Sequence, residues 1–370
     1  MNGMLSSGAW KIGTIMGIPL RVHFTWFVLF GLITWSLSTF YFPEAAPDLP
    51  AVSYWSKGAL AALLLFASVA FHELAHSIVA RKYKLSIESI TLFIFGGVAQ
   101  MKGEPPNPKA EFRIAIAGPL SSFFLSALFF ILSMTAAGGL KALFSYLAQI
   151  NFIIGAFNLI PGFPMDGGRV LRAAIWSKTK NFYYATQKAS SIGQKIALFF
   201  IFFGIFSLFT GMSGGLWLML IGWFIYNAAQ SSYQQSTLQE NLSGVKVKDI
   251  MVKDIVSLNP QISIDEAVNA YFLKYGYGGF PVVEGEKLLG IVTLKEIKNV
   301  PRENWSLMMV SDVFVPHNTK WEIASEEDIM KALELMITED KGRIAVTKNE
   351  EIIGLITRNG IARYVQIKGK

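Results

Sequence analysis

The sequence contains no cysteine, which excludes a disulfide-stapled fold, a thiolate metal site and a cysteine nucleophile. Any metal ion in this protein must therefore be bound by nitrogen and oxygen atoms. Charge is also scarce: 16% of the 370 residues are Asp, Glu, Lys or Arg, against about a quarter in an ordinary soluble protein. With 52% hydrophobic residues and a mean hydropathy of +0.41, the composition excludes a disordered chain and a purely soluble enzyme.

The length and the charge distribution indicate that the chain has several domains and that its two halves differ in character. At roughly 150 residues per domain, the chain corresponds to two or three domains. The formal net charge is +7, but the residues before 244 carry +8 and those from 244 onward carry −1. The basic excess belongs to the apolar half, where it favours a lipid bilayer and not nucleic acid as the partner.

The apolar half contains six segments long enough to cross the roughly 30 Å hydrocarbon core of a membrane as helices. The predicted spans lie near residues 24–42, 59–80, 114–136, 143–163, 195–211 and 216–232. Lys and Arg concentrate before the first span, between the second and third, and between the fourth and fifth. Since basic residues in short loops are retained on the cytoplasmic side, we expect both termini to be cytoplasmic. The sequence start lacks the features of a cleaved signal peptide, so we expect the first span to be retained.

Residues 86–103 are apolar but too short, and too rich in β-branched and aromatic residues, for a spanning helix. They predict strands that turn at Gly96 and Gly97. One interpretation is a re-entrant hairpin near a functional site, because irregular backbone at membrane depth is tolerated only where protein or water surrounds it. The other is a strand pair on the cytoplasmic surface of the membrane.

Two histidines and a glutamate fall inside the second predicted span, in the segment H-E-L-A-H at residues 72–76. His72 and His76 are at i and i+4 on one helix face, with their Cβ atoms about 5–6 Å apart. They can therefore bind one zinc ion while Glu73 polarises a water molecule on the metal. An ionisable residue inside a span is a functional-site hypothesis by default. The alternative is that these side chains merely satisfy one another in the bundle core.

Asp166 is the candidate for the third protein ligand that a tetrahedral catalytic zinc needs. It lies in the segment 158–169, where Pro161, Pro164 and several glycines are expected to unwind the end of the fourth span. Unwinding would let the chain aim the carboxylate inward, at the depth where the second span ends. As an alternative, Asp166 caps a helix break at the membrane interface.

An internal repeat begins near residue 244, where the hydropathy falls. Residues 247–251 and 289–293 are echoed by residues 310–314 and 353–357, at offsets of 63 and 64 residues. The two units are expected to pack on each other, because neither alone buries much apolar surface. The predicted elements are amphipathic helices at 264–275 and 326–337, strands at 279–283 and 342–346, and in each unit a second strand and a short helix.

These patterns resemble the site-2-protease family of intramembrane zinc metalloproteases, in particular the branch with C-terminal cystathionine-β-synthase (CBS) domains. The segments H-E-L-A-H at 72–76 and N-L-I-P-G-F-P-M-D-G-G at 158–168 match the family's two defining motifs, and F-G-G at 95–97 resembles its membrane-associated β element. The resemblance spans essentially the whole chain. It implies a polytopic α-helical membrane protein, with about six transmembrane helices and a membrane-associated β element, followed by an α+β tandem CBS domain.

The resemblance also implies a set of site residues. They are His72, His76 and Asp166 as ligands of one Zn²⁺ per chain, Glu73 as the general base, and Asn158 as a residue that helps to hold the substrate carbonyl or its oxyanion. Phe95, Gly96 and Gly97 are the expected substrate contacts. Strand addition to the edge of the 86–103 element would satisfy the backbone of an unwound substrate segment.

The soluble repeats resemble a tandem CBS pair, a fold that often binds adenine nucleotides between its repeats. The Thr-x-x-Asp ribose contact of such pairs is present only in part, because Thr293 is followed by Glu296, and Thr357 by Gly360. The resemblance implies ATP, ADP or AMP as ligands at Thr293, Glu296 and Thr357, and association into a homodimer. A structural or dimerising module that needs no ligand is the alternative.

The sequence thus predicts a transmembrane zinc metalloprotease domain at 1–235, a linker at 236–245, and CBS repeats at 246–308 and 309–370. The expected function is hydrolysis of peptide bonds in or near transmembrane segments of membrane-tethered substrates, under regulation by the CBS pair. A CBS-regulated transporter or channel is the alternative, but it would distribute ionisable residues along several spans. A catalytically inactive scaffold is disfavoured, because metal binding alone would not need Glu73.

Overall fold

The computed structural model describes residues 8–94, 96–212, 214–285, 287–316, 321–348 and 351–368. The chain divides into two units, Met1–Ser236 and Thr237–Lys370, and each is described by itself.

Long helices form most of the first unit, as its apolar runs predict. Their bounds are α1 Thr25–Ala45, α2 Ala51–Lys82, α3 Pro108–Thr135, α4 Gly138–Asn158, α5 Asp166–Thr179, α6 Phe182–Phe209 and α7 Gly215–Leu242. Asn107 and Asn181 set the starts of α3 and α6, because their side chains accept hydrogen bonds from the N–H groups of Ala110 and Tyr184.

In the described part of the chain, five of these helices are long and apolar enough to cross a membrane: α1, α2, α3, α4 and α6. The sixth predicted span, residues 216–232, does lie within a helix, α7, but α7 is not one of the five. Polar Asn227, Gln230 and Ser231 interrupt its apolar run and lower its mean hydropathy. The structure therefore supports five of the six predicted spans.

The helix α2 packs against α3 and α4. Small residues lie at these contacts, and Ala61, Ala62, Ala115 and Ala148 are all buried. Small side chains let membrane helices approach closely enough for dispersion contacts and interhelical hydrogen bonds. The face of α2 that carries the histidines is therefore enclosed by its neighbours.

A four-stranded sheet belongs to the same unit. Its strands are β1 Ala9–Ile15, β2 Ile18–His23, β3 Ser86–Phe93 and β4 Gly96–Lys102, in the order β1-β2-β3-β4. The hairpins β1–β2 and β3–β4 are antiparallel, whereas β2 and β3 are parallel, with Leu20 opposite Ile90. The predicted strands at 86–103 are present, but they do not turn at Gly96 and Gly97, because both residues belong to β4 and pair with Phe93 and Leu92 of β3. Gly96 begins β4 with a φ of +124°, which favours glycine. Within the described residues β4 is a terminal strand, so one of its edges is open to another strand.

The second unit contains two three-stranded sheets. Their strands are β5 Gly279–Glu284, β6 Lys287–Thr293 and β7 Val315–Pro316, in the order β5-β6-β7, and β8 Glu322–Ala324, β9 Arg343–Lys348 and β10 Glu351–Thr357, in the order β10-β9-β8. The helices are α8 Val247–Ile250, α9 at 264–275, α10 Leu294–Lys298, α11 Ile329–Thr338 and α12 Arg358–Lys368, with short 3₁₀ turns at Arg302–Asn304 and Val310–Asp312.

Each of the two sheets packs on its own hydrophobic core, one around Phe280 and the other around Met336. Val247 of the first repeat lies in the Met336 core and Val310 of the second repeat lies in the Phe280 core, so the two repeats pack on each other. Leu242 is fully buried in the second core, and α7 runs as a helix through residues 236–242, which the sequence assigned to a linker. The helix α11 begins at Ile329, later than the predicted residue 326, because the Asp328 side chain accepts a hydrogen bond from the N–H of Met330 and caps the helix there.

Candidate metal centre and active site

His72 and His76 lie one turn apart on the enclosed face of α2. Helical spacing places residues i and i+4 on one face, and the two Nε2 atoms are 3.2 Å apart. Both residues are almost inaccessible to solvent, with exposed fractions of 4% and 3%. The pair therefore directs two ring nitrogens toward one point inside the helix bundle.

Asp166 reaches the same point from a distant part of the sequence. It is the first residue of α5, and the segment before it contains Pro161 and Pro164, which cannot continue α4. Its Oδ2 lies 3.1 Å from His72 Nε2 and 3.0 Å from His76 Nε2. Among the described residues, these three are the one group of at least three His, Asp or Glu side chains close enough to share an ion.

The helix α3 holds the outer nitrogens of both imidazoles. His76 Nδ1 lies 2.6 Å from the carbonyl oxygen of Ile114, and His72 Nδ1 lies 2.9 Å from Ser122 Oγ. A carbonyl only accepts, so Nδ1 of His76 carries a proton, and in the neutral imidazole Nε2 is then left with a bare lone pair. Hydrogen bonds of this kind set the tautomer and orientation of metal-binding histidines.

Gly118 lies between these two contacts on α3, close to both imidazoles. A Cβ at this position would overlap the Nε2 atoms of both His72 and His76. Ile114, Gly118 and Ser122 are spaced at i, i+4 and i+8, so they share one face of α3. None of the three was predicted from the sequence, because their contacts depend on how α3 packs against α2.

The donor atoms fit a zinc ion. Zinc bonds of about 2.0–2.2 Å in tetrahedral geometry separate neighbouring donors by about 3.3–3.5 Å, and the three observed separations are 3.0, 3.1 and 3.2 Å. A bare imidazole lone pair that faces a carboxylate is repelled by it unless a cation lies between them. Neutral nitrogen and carboxylate oxygen are also ligands that zinc accepts. His72, His76 and Asp166 therefore have the chemistry and the spacing of a zinc site.

Glu73 follows His72 in the chain and lies against β4. Its Oε2 accepts a hydrogen bond of 3.1 Å from the N–H of Ala99. Gly97 lies so close that a Cβ there would be 2.8 Å from Glu73 Cγ. Because the N–H of Ala99 is directed to Glu73 and not to β3, the open edge of β4 faces this carboxylate.

A cleft of about 460 Å³ runs beside β4. Residues 98–101 of β4 line it together with Arg169 and Arg172 of α5. Glu104 also lines the cleft, and burial raises the pKa of this carboxyl above its usual range. Behind this wall, fully buried Glu111 of α3 accepts a 2.7 Å hydrogen bond from Arg172 Nε. A buried ion pair therefore anchors one side of the cleft.

Other predicted site residues lie apart from the metal-ligand group. Asn158 ends α4, and its Nδ2 donates a 3.1 Å hydrogen bond to the carbonyl of Ile154 in its own helix. No hydrogen bond in the described part of the chain joins Asn158 to His72, His76 or Asp166. Phe95 lies outside the described residues, so its substrate contact stays a prediction.

Comparison with known proteins identifies the family. The profile of peptidase family M50 matches residues 60–138 and 132–204, and the CBS domain profile matches residues 247–303 and 308–367. A Mycobacterium tuberculosis protein named "Putative zinc metalloprotease Rip3" is 35% identical over 364 residues, which cover 96% of this chain and 92% of that protein. The chain belongs to the M50, or site-2 protease, family.

Two further proteins are similar to this chain. A zinc metalloprotease of Methanocaldococcus jannaschii is 35% identical over 362 residues, which cover 96% of each chain. The solved structure of a site-2 protease from the same organism is 36% identical, with a TM-score of 0.44, and the match covers 61% of this chain and 95% of that chain.

Membership of the site-2 protease family makes this chain a zinc metalloprotease of the membrane with a tandem CBS pair. The predicted fold class is confirmed by the apolar helices of the first unit and the repeats of the second. The transporter alternative receives no support from the relatives that match along the chain.

The CBS pair of this M50 protein has a pocket of about 300 Å³ between its repeats. Thr293 and Glu296 line it, but they are bound to each other: the N–H of Thr293 donates to Glu296 Oε2 at 2.9 Å, and its hydroxyl bonds the same oxygen. This pair caps α10. Thr357 is not part of the pocket lining, and its Oγ1 accepts a hydrogen bond from the N–H of Gly360. The structure therefore brings two of the three predicted nucleotide contacts together.

Proposed function

We propose that this protein is an intramembrane endopeptidase in which His72, His76 and Asp166 hold one zinc ion per chain and Glu73 is the general base. Its substrates are membrane-tethered proteins or peptides, cut in or near a transmembrane segment. The observation that carries the proposal is the convergence of three donor atoms within 3.0–3.2 Å of one another, with Glu73 on the same turn of an apolar helix long enough to cross a membrane.

The chemistry is water-dependent peptide hydrolysis. Bound zinc supplies a polarised carbonyl and a water molecule of lowered pKa. Glu73 accepts a proton from the attacking water at its carboxylate and returns it to the leaving amine nitrogen. The N–H of Ala99 holds Glu73 in place for this transfer. In the proposal Asn158 binds the substrate carbonyl, for which its Nδ2 must leave the carbonyl of Ile154.

The proposed substrate site is the cleft beside β4. A peptide bond inside a helix is shielded, so the substrate segment must unwind, and pairing with a strand edge satisfies its freed backbone groups. β4 supports this role, because it is a terminal strand and its outward N–H at Ala99 already reaches Glu73. A strand seated here would run past the general base. Gly96 and Gly97, with Phe95, form the predicted contacts at one end.

Disulfide cross-linking tests this placement, and the absence of native cysteine keeps the background low. Met101→Cys on β4 is expected to cross-link to a substrate peptide that carries one cysteine near its scissile bond. Ile12→Cys on β1 is the matched control, because Ile12 is 61% exposed on the opposite edge strand of the same sheet. Equal cross-linking at both positions would contradict binding along β4.

A nucleotide role for the CBS pair is the regulatory part of the proposal. ATP, ADP or AMP would occupy the pocket lined by Thr293 and Glu296, where Lys295, Lys341 and Arg343 supply positive charge for phosphates. The ribose would have to compete with Thr293 for the Glu296 carboxylate. We also propose a homodimer and, from the distribution of Lys and Arg, two cytoplasmic termini. The second proposal requires α7 to cross the membrane as a sixth span. A rise in melting temperature with one nucleotide, abolished in Arg343→Gln, is expected; no shift with any of the three contradicts sensing.

The decisive experiment compares the wild type with Glu73→Gln in liposomes that contain a transmembrane substrate. The variant is expected to keep its zinc and to lose about 10²–10⁴-fold in cleavage rate, because a general base contributes about that factor. Glu44→Gln, which makes the same change at an exposed position, is the control and is expected to cleave normally. Zinc-free wild type, or equal rates in wild type and Glu73→Gln, would contradict the proposed function.

A further inference from the structure

Arg169 lies on the first turn of α5, three residues after Asp166. Residues i and i+3 of a helix are neighbours on its surface, so Arg169 extends from the side of α5 that supplies the candidate ligand. Its side chain is 16% exposed. Its guanidinium lies near the carboxylates of Asp166, Glu111 and Glu73 and near the guanidinium of Arg172, close enough for their charges to act on it. A positive charge is therefore fixed beside the candidate active site.

Arg169 differs from Arg172, its neighbour one turn later. Arg172 donates to Glu111 and Thr186 and lies over the rings of Phe163 and Phe182, at 4.9 and 4.5 Å from the ring centroids. Each of its three guanidinium nitrogens has a partner, so its role is to join α3, α5 and α6.

Arg169 is held much more loosely. Its Nε is 4.0 Å from Glu111 Oε1, and in the described part of the chain its guanidinium makes no hydrogen bond. A guanidinium has five N–H donors, and leaving such donors unpaired in a largely buried place is unfavourable. Its donors therefore remain available to a group that enters from outside.

The cleft determines which group can enter. Arg169 lines the same cleft as residues 98–101 of β4, and one of these residues, Ala99, is hydrogen-bonded to Glu73. A peptide strand in the cleft would thus have the general base and the edge of β4 on one side and Arg169 on the other. The group of such a strand that accepts hydrogen bonds is the backbone carbonyl oxygen.

We propose that Arg169 is a catalytic residue that donates a hydrogen bond to the carbonyl oxygen of the scissile peptide bond while negative charge develops on it. This inference rests on the proposed protease function. As the water oxygen bonds to the carbonyl carbon, the C=O electron pair moves onto oxygen, and Glu73 takes one water proton. When the C–N bond breaks, that electron pair re-forms C=O, and Glu73 gives its proton to the departing nitrogen. The products are one carboxyl group and one amine.

Arg169 can donate to the scissile carbonyl oxygen beside Asn158, and it does not first have to leave another partner. The amide of Asn158 is already committed to the carbonyl of Ile154, whereas Arg169 keeps free donors and a full positive charge next to the cleft. A charged donor forms a hydrogen bond roughly twice as strong as a neutral one.

Arg169→Gln and Arg169→Lys, assayed as purified full-length protein with a fluorogenic transmembrane peptide, test the proposal. In Arg169→Gln we expect kcat to fall about 10²–10³-fold, the loss typical of one oxyanion donor, with KM and zinc content unchanged. Arg169→Lys keeps the charge but not the fork of donors, and we expect at least a tenfold loss of kcat. Affinity for a phosphinic peptide that mimics the tetrahedral state should fall in both variants. When each Arg169 variant also carries Glu73→Gln, so that the peptide is not cleaved, its affinity for the substrate peptide should be unchanged.

A purely structural role would give the opposite pattern. If Arg169 only balances the charges of Asp166 and Glu111, Arg169→Lys keeps full kcat and phosphinic affinity, while Arg169→Gln loses zinc or melting temperature. Either result overturns the proposal. Arg113→Gln, which removes an exposed arginine of α3 that donates to Tyr83, is the control and is expected to retain kcat. If the wild type itself cleaves nothing, the proposed function fails; an active wild type with unaffected Arg169 variants refutes only the role of Arg169.

Discussion

His72 and Ser122, 50 positions apart in the chain, share a buried hydrogen bond of 2.9 Å between Nδ1 and Oγ. The corresponding hydrogen bond of His76 goes to a main-chain carbonyl, which no substitution removes. Of the two hydrogen bonds that hold the imidazoles, only the one to Ser122 can therefore be tested by mutation. We expect Ser122→Ala to weaken zinc binding about 10–100-fold, the effect typical of losing such a partner. Competition with a fluorescent zinc chelator measures it. Ser122→Thr keeps the hydroxyl and should restore most of the affinity; equal affinity in all three proteins would contradict a supporting role.

Gly118→Ala is predicted to remove zinc from the protein. Its Cβ would overlap Nε2 of both imidazoles, and well-packed surroundings cannot shift to admit it without displacing the rings. Metal content after purification gives the answer. Gly31→Ala is the matched control, because nothing lies within 4 Å of the added methyl in α1, and it should keep a full complement of zinc. A zinc-replete Gly118→Ala would show that the rings can move without losing the ion.

Gly97→Ala is expected to lower kcat and leave zinc content intact. The new Cβ would lie 2.8 Å from Glu73 Cγ and 3.1 Å from Val69 Cγ1, so the carboxylate must shift, and a displacement of about 1 Å of a catalytic group can reduce the rate 10²-fold. Steady-state kinetics beside a zinc assay separates the two effects. Gly13→Ala in β1, where the methyl meets open space, should behave as the wild type. Parallel loss of zinc and rate in Gly97→Ala would be evidence against an effect on Glu73 alone.

The CBS pair should show a pH-dependent stabilisation from Glu326. Hydrogen bonds from Lys246 and then Lys248 lower the pKa of Glu326 to about 2, below the roughly 4.3 of a free Glu. The contribution is therefore present above about pH 4.3 and disappears as the pH falls through 2. Because the pair is exposed, we expect only a small difference in melting temperature between the wild type and Glu326→Gln at pH 7, and a still smaller one at pH 2, where Glu326 is about half protonated. A difference that is as large at pH 2 as at pH 7 would mean that the charge of Glu326 is not its source.

The sequence predicted the parts of the site that local spacing determines. His72, Glu73 and His76 lie within about one helical turn, and Asp166 follows prolines that must end a helix. A short stretch of sequence was therefore enough to predict each of these residues. Ile114, Gly118 and Ser122 escaped notice because their contacts depend on the register of α3 against α2. That register is set by packing between helices, which no short pattern encodes.

The same limit applies to the fold. Apolar runs correctly predicted five spans. The sixth predicted span, in α7, does not qualify, because a few polar residues near Asn227 lower the hydropathy of its apolar run. The strands at 86–103 were predicted from composition, whereas their parallel pairing with β2 joins residues about 70 positions apart. Residues 236–245 were predicted to be a linker because they are polar, whereas α7 continues to Leu242, which is buried in the Met336 core.

The two histidines come from α2 and the carboxylate from the start of α5, so an ion held by all three, as proposed, would link segments 90 or more residues apart in the chain. A ligand that binds only the folded state stabilises it by mass action, about 1.4 kcal/mol for each tenfold excess over the dissociation constant. Free zinc concentration thus becomes a variable of folding as well as of catalysis. A cell short of zinc would lose molecules of this protease to unfolding and quality control, and its abundance would report the metal supply.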